Sequence, residues 1–165
     1  YLAWYTPREM LTCWIALDAT SSANGTLEFV KGSHRWQRQL QPQGEFHNPA
    51  DYQIEMETAA QQEGQTPEVI HVEVPRGGGS FHHGWMWHGS GANRSLDWRR
   101  SLVLHGMRSD TQFVPEGLGY GNGPVYSRYK HLDDCDMDEN HFPILWRQDG
   151  HRTAGISTVI AAQHD

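Results

Sequence analysis

Residues 10–17 read MLTCWIAL, an apolar run rich in β-formers, and a second such run, TLEFV, follows a polar stretch that ends in Asn24-Gly25. Branched and aromatic residues in runs of this length predict strands, and the Asn-Gly step between them predicts a hairpin whose loop exceeds the two-residue ideal. The pattern then lapses. Residues 37–67 are polar and Gln-rich, punctuated by Pro42, Gly44, Pro49, Gly64 and Pro67, with room for one short helix around 54–62. This stretch is predicted to be a surface insert and a candidate lid. Strand character returns at VIHVEV (69–74), at SFHHGWMWH and at WRRSLVLHGM, each set off by Gly or Ser. Beyond Ser109 the periodicity fades into a loop containing Gly117, Gly119, Gly121, Gly123 and Pro124 and an acidic run, DDCDMDE, so 110–165 is expected to be irregular. Short strands separated by turns, with minor helix, predict an all-β antiparallel sandwich or jelly-roll barrel forming a single domain over 1–165.

Side chains alternate across a strand. If 81–88 is one extended segment, His82, Met86 and His88 share a face that can look into a barrel, while Phe81, His83, Trp85 and Trp87 share the other. The following GSGANRS is turn chemistry, and a return strand over 98–104 would bring an arginine back beside His88. Trp85, Trp87 and Trp98 are expected to fill the far side of the sheet.

Composition narrows the partners. A formal charge of −7 over 165 residues offers no basic footprint for nucleic acid or an anionic membrane, which leaves small molecules as the expected ligands. No apolar run approaches the roughly 20 residues needed to cross a bilayer, and the opening YLAWYTPREM lacks a secretory layout, so a cytoplasmic location is expected. Cys13 and Cys135 form no CxxC pair and are expected to be reduced thiols. The glycine-rich loop has neither GxGxxG nor Walker spacing before a helix, which argues against phosphate binding. Oligomeric state is not legible.

A histidine meeting an arginine in one pocket has a chemical use. Neutral imidazole is a good ligand for Fe(II), and a guanidinium fork holds a carboxylate through two charge-assisted hydrogen bonds. The segments WIALDATSSANGTLEFVKGSHR and GGGSFHHGWMWHGSGANRSLDWRRSL carry this further: from Tyr1 to about Met107 the chain resembles the phytanoyl-CoA dioxygenase family of Fe(II) and 2-oxoglutarate-dependent oxygenases. The resemblance implies a double-stranded β-helix, a cupin-like jelly roll, of which this chain is the C-terminal part. It also implies Fe(II), 2-oxoglutarate and O2, and a reaction that hydroxylates a small organic substrate with release of succinate and CO2.

Residue by residue, the resemblance makes His88 the distal metal-ligating histidine. Arg99 grips the far carboxylate of 2-oxoglutarate in preference to Arg100, Ser90 helps hold that carboxylate, and Trp14 lines the cosubstrate pocket. Asn24-Gly25 and Gly32-Ser33-His34 match turns of the scaffold, which makes His34 structural. His82, Met86 and His105 are candidates for contacts around the metal ligand or substrate. The two remaining ligands of the family come as a His-x-Asp pair, expected immediately ahead of Tyr1. Two local alternatives exist within the chain: His71 with Glu73, which share one face of a predicted strand, and His131 with Asp133, a literal HxD in an acidic segment. Two rival functions follow from the same residues, a barrel that binds a small ligand without redox chemistry and a 2-oxoglutarate-dependent halogenase.

Overall fold

The computed structural model describes residues 5–7, 9–36, 52–115, 128–131, 133–156 and 158. The glycine-rich loop expected over 117–124 and the first part of the expected lid, 37–51, lie outside these residues. The chain divides into two compact units, one formed by Met10–Gly106 and the other by Tyr1–Glu9 with Met107–Asp165.

The first unit is built from two three-stranded sheets. One has the order β5-β2-β7, from Gly79–His83, Met10–Ala16 and Ser101–Met107. The other has the order β4-β3-β6, from Val69–His71, Leu27–Val30 and His88–Ser90. β2 runs antiparallel to β5, and β3 runs antiparallel to both its neighbours. Along β2 the alternation is plain: Met10, Thr12, Trp14 and Ala16 are buried, and Leu11 is exposed. Trp14 and Ala16 pack with Leu27 of the other sheet, with Phe29, Val72 and Val74 around them. A core therefore lies between the two sheets, the sandwich that the strand pattern predicts. Trp14, 4% exposed, dominates it, and its truncation to alanine would cost about 3–5 kcal/mol.

The expected hairpin between the first two strands does not form, because β2 and β3 belong to different sheets. Their link is instead a short 3-10 turn, Ser22–Asn24, closed by Gly25 in the left-handed region at φ 72°. Polar side chains tie this link to the chain after β4. The Thr20 and Thr26 hydroxyls donate to the Val72 carbonyl, the Thr20 hydroxyl accepts from the Val74 N–H at 3.1 Å, and Ser22 donates through its N–H and hydroxyl to Glu73 at 2.7 and 2.6 Å. At Gly25 an added Cβ would run into the Gly91 carbonyl oxygen, so the position requires glycine for space as well as for φ. The helix falls where expected, as α1 over Tyr52–Gln62, burying one face through Met56, Ala59 and Ala60.

Arg100, just ahead of β7, is spent on the loop after β2. Its guanidinium holds the Asp18 carboxylate at both oxygens (2.9 and 2.7 Å), and its backbone N–H adds a third bond at 2.8 Å. These bonds hold the Asp18 carboxyl at about 2, below the usual carboxylate range.

The second unit is smaller. β1 (Tyr5–Thr6) pairs antiparallel with β8 (Gln112–Phe113), and Tyr5 and Phe113 face each other across the pair, both fully buried. Phe142 meets Phe113 and Tyr129 edge-on, at 5.5 and 6.1 Å. The described residues over 133–156 are mostly turns stapled by side chains, such as Glu139 accepting from His151 at 2.8 Å and from Thr153 at 2.6 Å. Both cysteines are free thiols.

Two outcomes are expected. Gly25→Ala lowers stability by at least about 1 kcal/mol in urea denaturation, from the left-handed backbone and the collision with Gly91. Asp18, with its folded pKa depressed to about 2, contributes stability that is present above the ordinary value of 3.8 and is lost as pH falls through 2. Asp18→Asn should thus be less stable at neutral pH and show a shallower fall in denaturation midpoint between pH 4 and 2.

Candidate metal and anion site

The expected single extended segment over 81–88 is broken. β5 ends at His83, residues 84–86 turn, and β6 begins at His88 in the other sheet. The break falls at Gly84, whose N–H donates to the Met10 carbonyl at 2.7 Å and where a Cβ would come within 3.1 Å of the Met10 Cβ. The turn is closed by Met86 N–H donating to the His83 carbonyl and Trp85 N–H donating to His83 Nδ1, at 2.9 and 3.1 Å. Ser33 ties its far end: the hydroxyl oxygen accepts from Trp87 N–H at 2.9 Å and the hydroxyl donates to Met86 Sδ at 3.3 Å. The Gly32-Ser33-His34 turn is therefore scaffold, and the His34 ring sits 5.8 Å from the His83 ring. Burial, then Arg35 and His83, push the His34 pKa down.

This crossing nonetheless brings His82 and His88 together. In β5, His82 pairs with Thr12 of β2, and in β6, His88 pairs with Phe29 of β3, so the two histidines stand on the inner faces of opposite sheets. Their ring centroids are 4.9 Å apart, and Phe29 packs on His82 at 4.7 Å. His105 of β7 joins them, with Nδ1 3.0 Å from the Thr12 hydroxyl. Burial first, and then His88 and His105, push the His82 pKa down to about 4; burial and His88 lower that of His105. Both rings are neutral at pH 7, so a cation arriving here meets imidazoles without charge.

One polar contact of the His88 ring bears on its tautomer. Its Nδ1 lies 2.7 Å from the Met86 carbonyl. A carbonyl only accepts, so the proton sits on Nδ1 and the Nε2 lone pair is left bare, the arrangement by which an outer hydrogen bond fixes a metal-ligating tautomer. Met86, expected to contribute its side chain, contributes its backbone oxygen instead. Two residues on, the Ser90 hydroxyl accepts from Arg99 Nη2 at 3.4 Å. Ser90 pairs with Leu27, which belongs to the core cluster of Trp14 and Ala16. Of the residues singled out in the sequence, His88, Ser90 and Arg99 thus fall together, while Trp14 lies in the buried core cluster that includes Leu27. Arg100 is occupied by Asp18, which leaves Arg99 as the arginine beside Ser90.

Other expectations are redirected. β7 returns next to β2 rather than next to β6, so the arginine reaches Ser90 from the loop ahead of the strand. Trp98 is 75% exposed and fills no sheet face. The local alternatives for ligands are engaged elsewhere: His71 with Glu28 at 3.4 Å, Glu73 with Ser22, and His131 with Asp138 at 3.5 Å. Among the described residues no three His, Cys, Asp or Glu side chains are grouped to hold a metal ion. Ser33 and Thr12 were not legible as site residues, since a hydroxyl in a turn or on a strand carries no spacing signal.

The family described as Phytanoyl-CoA dioxygenase (PhyH) matches residues 1–101, a span that takes in β1 to β6, Ser90 and Arg99. A probable phytanoyl-CoA dioxygenase from Caenorhabditis elegans is 29% identical over 117 residues, covering 64% of this chain and 33% of that protein. The non-heme alpha ketoglutarate dependent carbocyclase SnoK from nogalamycin biosynthesis is similar with a TM-score of 0.55 and 25% identity, over 78% of this chain and 46% of that one. The epimerase SnoN, solved in complex with Fe3+, alpha ketoglutarate and nogalamycin RO, has the same fold with a TM-score of 0.55 and 22% identity, over 81% and 49%. The chain spans about a third of the length of the curated relatives it matches. The match runs through the sandwich core and the segment that joins His88 to Arg99, and the chain belongs to the phytanoyl-CoA dioxygenase family.

Proposed function

We propose that this chain carries the distal metal-ligating histidine and the cosubstrate clamp of a non-haem Fe(II), 2-oxoglutarate-dependent dioxygenase that hydroxylates a small organic molecule. The observation that carries it is the pairing, on one three-residue strand, of a histidine with Nε2 bared by the Met86 carbonyl and a serine whose hydroxyl meets an arginine.

The donors suit ferrous iron as far as they extend. His88 Nε2 is a neutral nitrogen ligand, and a site of the two-histidine, one-carboxylate kind needs two more, which the described residues do not group around it. Arg99 supplies a fixed positive fork for the far carboxylate of 2-oxoglutarate, and Ser90 adds a hydroxyl to the same carboxylate. Leu27, the strand partner of Ser90, belongs to the apolar core with Trp14, the residue expected to line the cosubstrate pocket. Thr12, Phe29, His82 and His105 line the opposite end with groups that are neutral at pH 7. With iron bound, O2 and 2-oxoglutarate are consumed to succinate and CO2, and one oxygen atom enters a substrate C–H bond. The free thiols of Cys13 and Cys135 accord with action in the reducing cytoplasm.

Succinate release by the whole protein, supplied with Fe(II), ascorbate and 2-oxoglutarate, tests the assignment. His88→Ala is expected to abolish turnover. Ser90→Ala is expected to raise the KM for 2-oxoglutarate about tenfold with a smaller change in kcat, the loss of one hydrogen bond to a charged group. Undiminished turnover in His88→Ala sinks the proposal.

A further inference from the structure

We propose that His82 is a positioning residue for His88: its buried ring is the wall that keeps the His88 imidazole turned with Nδ1 on Met86 and Nε2 outward. This rests on the assignment of His88 as a metal ligand.

The need for a wall follows from magnitudes. His88 is solvent-exposed, and among the described residues its ring makes one hydrogen bond, from Nδ1 to the Met86 carbonyl. A single neutral hydrogen bond favours one ring orientation over the flipped one by only about fivefold, which leaves a sizeable fraction of rings presenting the wrong edge. Packing against a second ring adds a restraint, and His82 supplies it at 4.9 Å between centroids, with the planes inclined by 53°. His82 itself is enclosed: it is 5% exposed, packed on Phe29 at 4.7 Å, and its backbone pairs with Thr12 of β2. His82 Nδ1 has no hydrogen-bond partner among the described residues, so the hold of this ring on His88 is one of shape.

A role of shape makes a distinctive forecast. His82→Phe keeps a flat ring and removes the unpartnered nitrogen, whereas His82→Leu fills much of the volume without a flat face. The readout is the His88 tautomer in metal-free whole protein, taken from its imidazole nitrogen and carbon NMR shifts, together with Mn(II) affinity by calorimetry. Wild type and His82→Phe should show His88 protonated at Nδ1, equal Mn(II) affinity, and a melting temperature in His82→Phe at or above wild type. His82→Leu should show averaged His88 signals and Mn(II) binding weakened at least about tenfold, within the range for loss of a group that orients a ligand. His82→Leu with wild-type His88 signals overturns the proposal, and so does His82→Phe behaving like His82→Leu, which would give the role to the nitrogen. A wild type that takes up no Mn(II) sinks the ligand assignment of His88 alone, and the tautomer still decides the role of His82.

Discussion

Between β5 and β6 the chain has four residues, Gly84 to Trp87, in which to leave one sheet and enter the other, and the site depends on how that crossing is tied. Each end is anchored by backbone. Gly84 donates to Met10 of β2, and Trp87 offers its carbonyl to Val30 of β3 at 2.9 Å. Between the anchors, Ser33 holds Trp87 and Met86, and Met86 in turn holds His88. A crossing this short leaves little slack. His82 at the end of one strand and His88 at the start of the next are forced into ring contact across the sandwich.

The same constraint sorts the arginines. Arg99 and Arg100 are adjacent, and in extended backbone neighbours point to opposite sides. Arg100 closes on Asp18 with three hydrogen bonds, which secures the start of β7 against the loop after β2. Arg99 is left half-buried on the side of Ser90. The positive charge that the proposed chemistry requires is thus aimed by a neighbouring ion pair that has no chemical part in it. At the other end of the site, burial keeps His82 and His105 neutral, so the arginine is the local charge on which an anion would settle.

Much of this was legible in residue order, for reasons that can be named. The two-residue period marked the strands of the sandwich, and the alternation put His82 and His88 on one inner face. That pairing survived even though the extended segment it assumed is broken at Gly84, because the chain re-enters the opposite sheet with its inward parity kept. The spacing from His88 to Ser90 and Arg99 was legible through family resemblance. Sheet membership was not. Asn24-Gly25 reads locally as a hairpin, yet β2 and β3 find their partners at Gly79–His83 and Val69–His71, distances along the chain over which local turn chemistry carries no information. Trp98 was assigned to a sheet face by its hydrophobicity, but it lies in the loop ahead of β7. The contribution of Met86 escaped because a backbone carbonyl has no sequence signature.

The division of labour between the two arginines is most directly tested by calorimetry of 2-oxoglutarate binding to the Mn(II)-loaded whole protein under anaerobic conditions. Arg99→Ala should weaken binding at least about tenfold, the loss of a charge-assisted contact, while Arg100→Ala should bind within a factor of about two of wild type. Loss of binding in Arg100→Ala with near-normal binding in Arg99→Ala would contradict the assignment of Arg99 as the clamp.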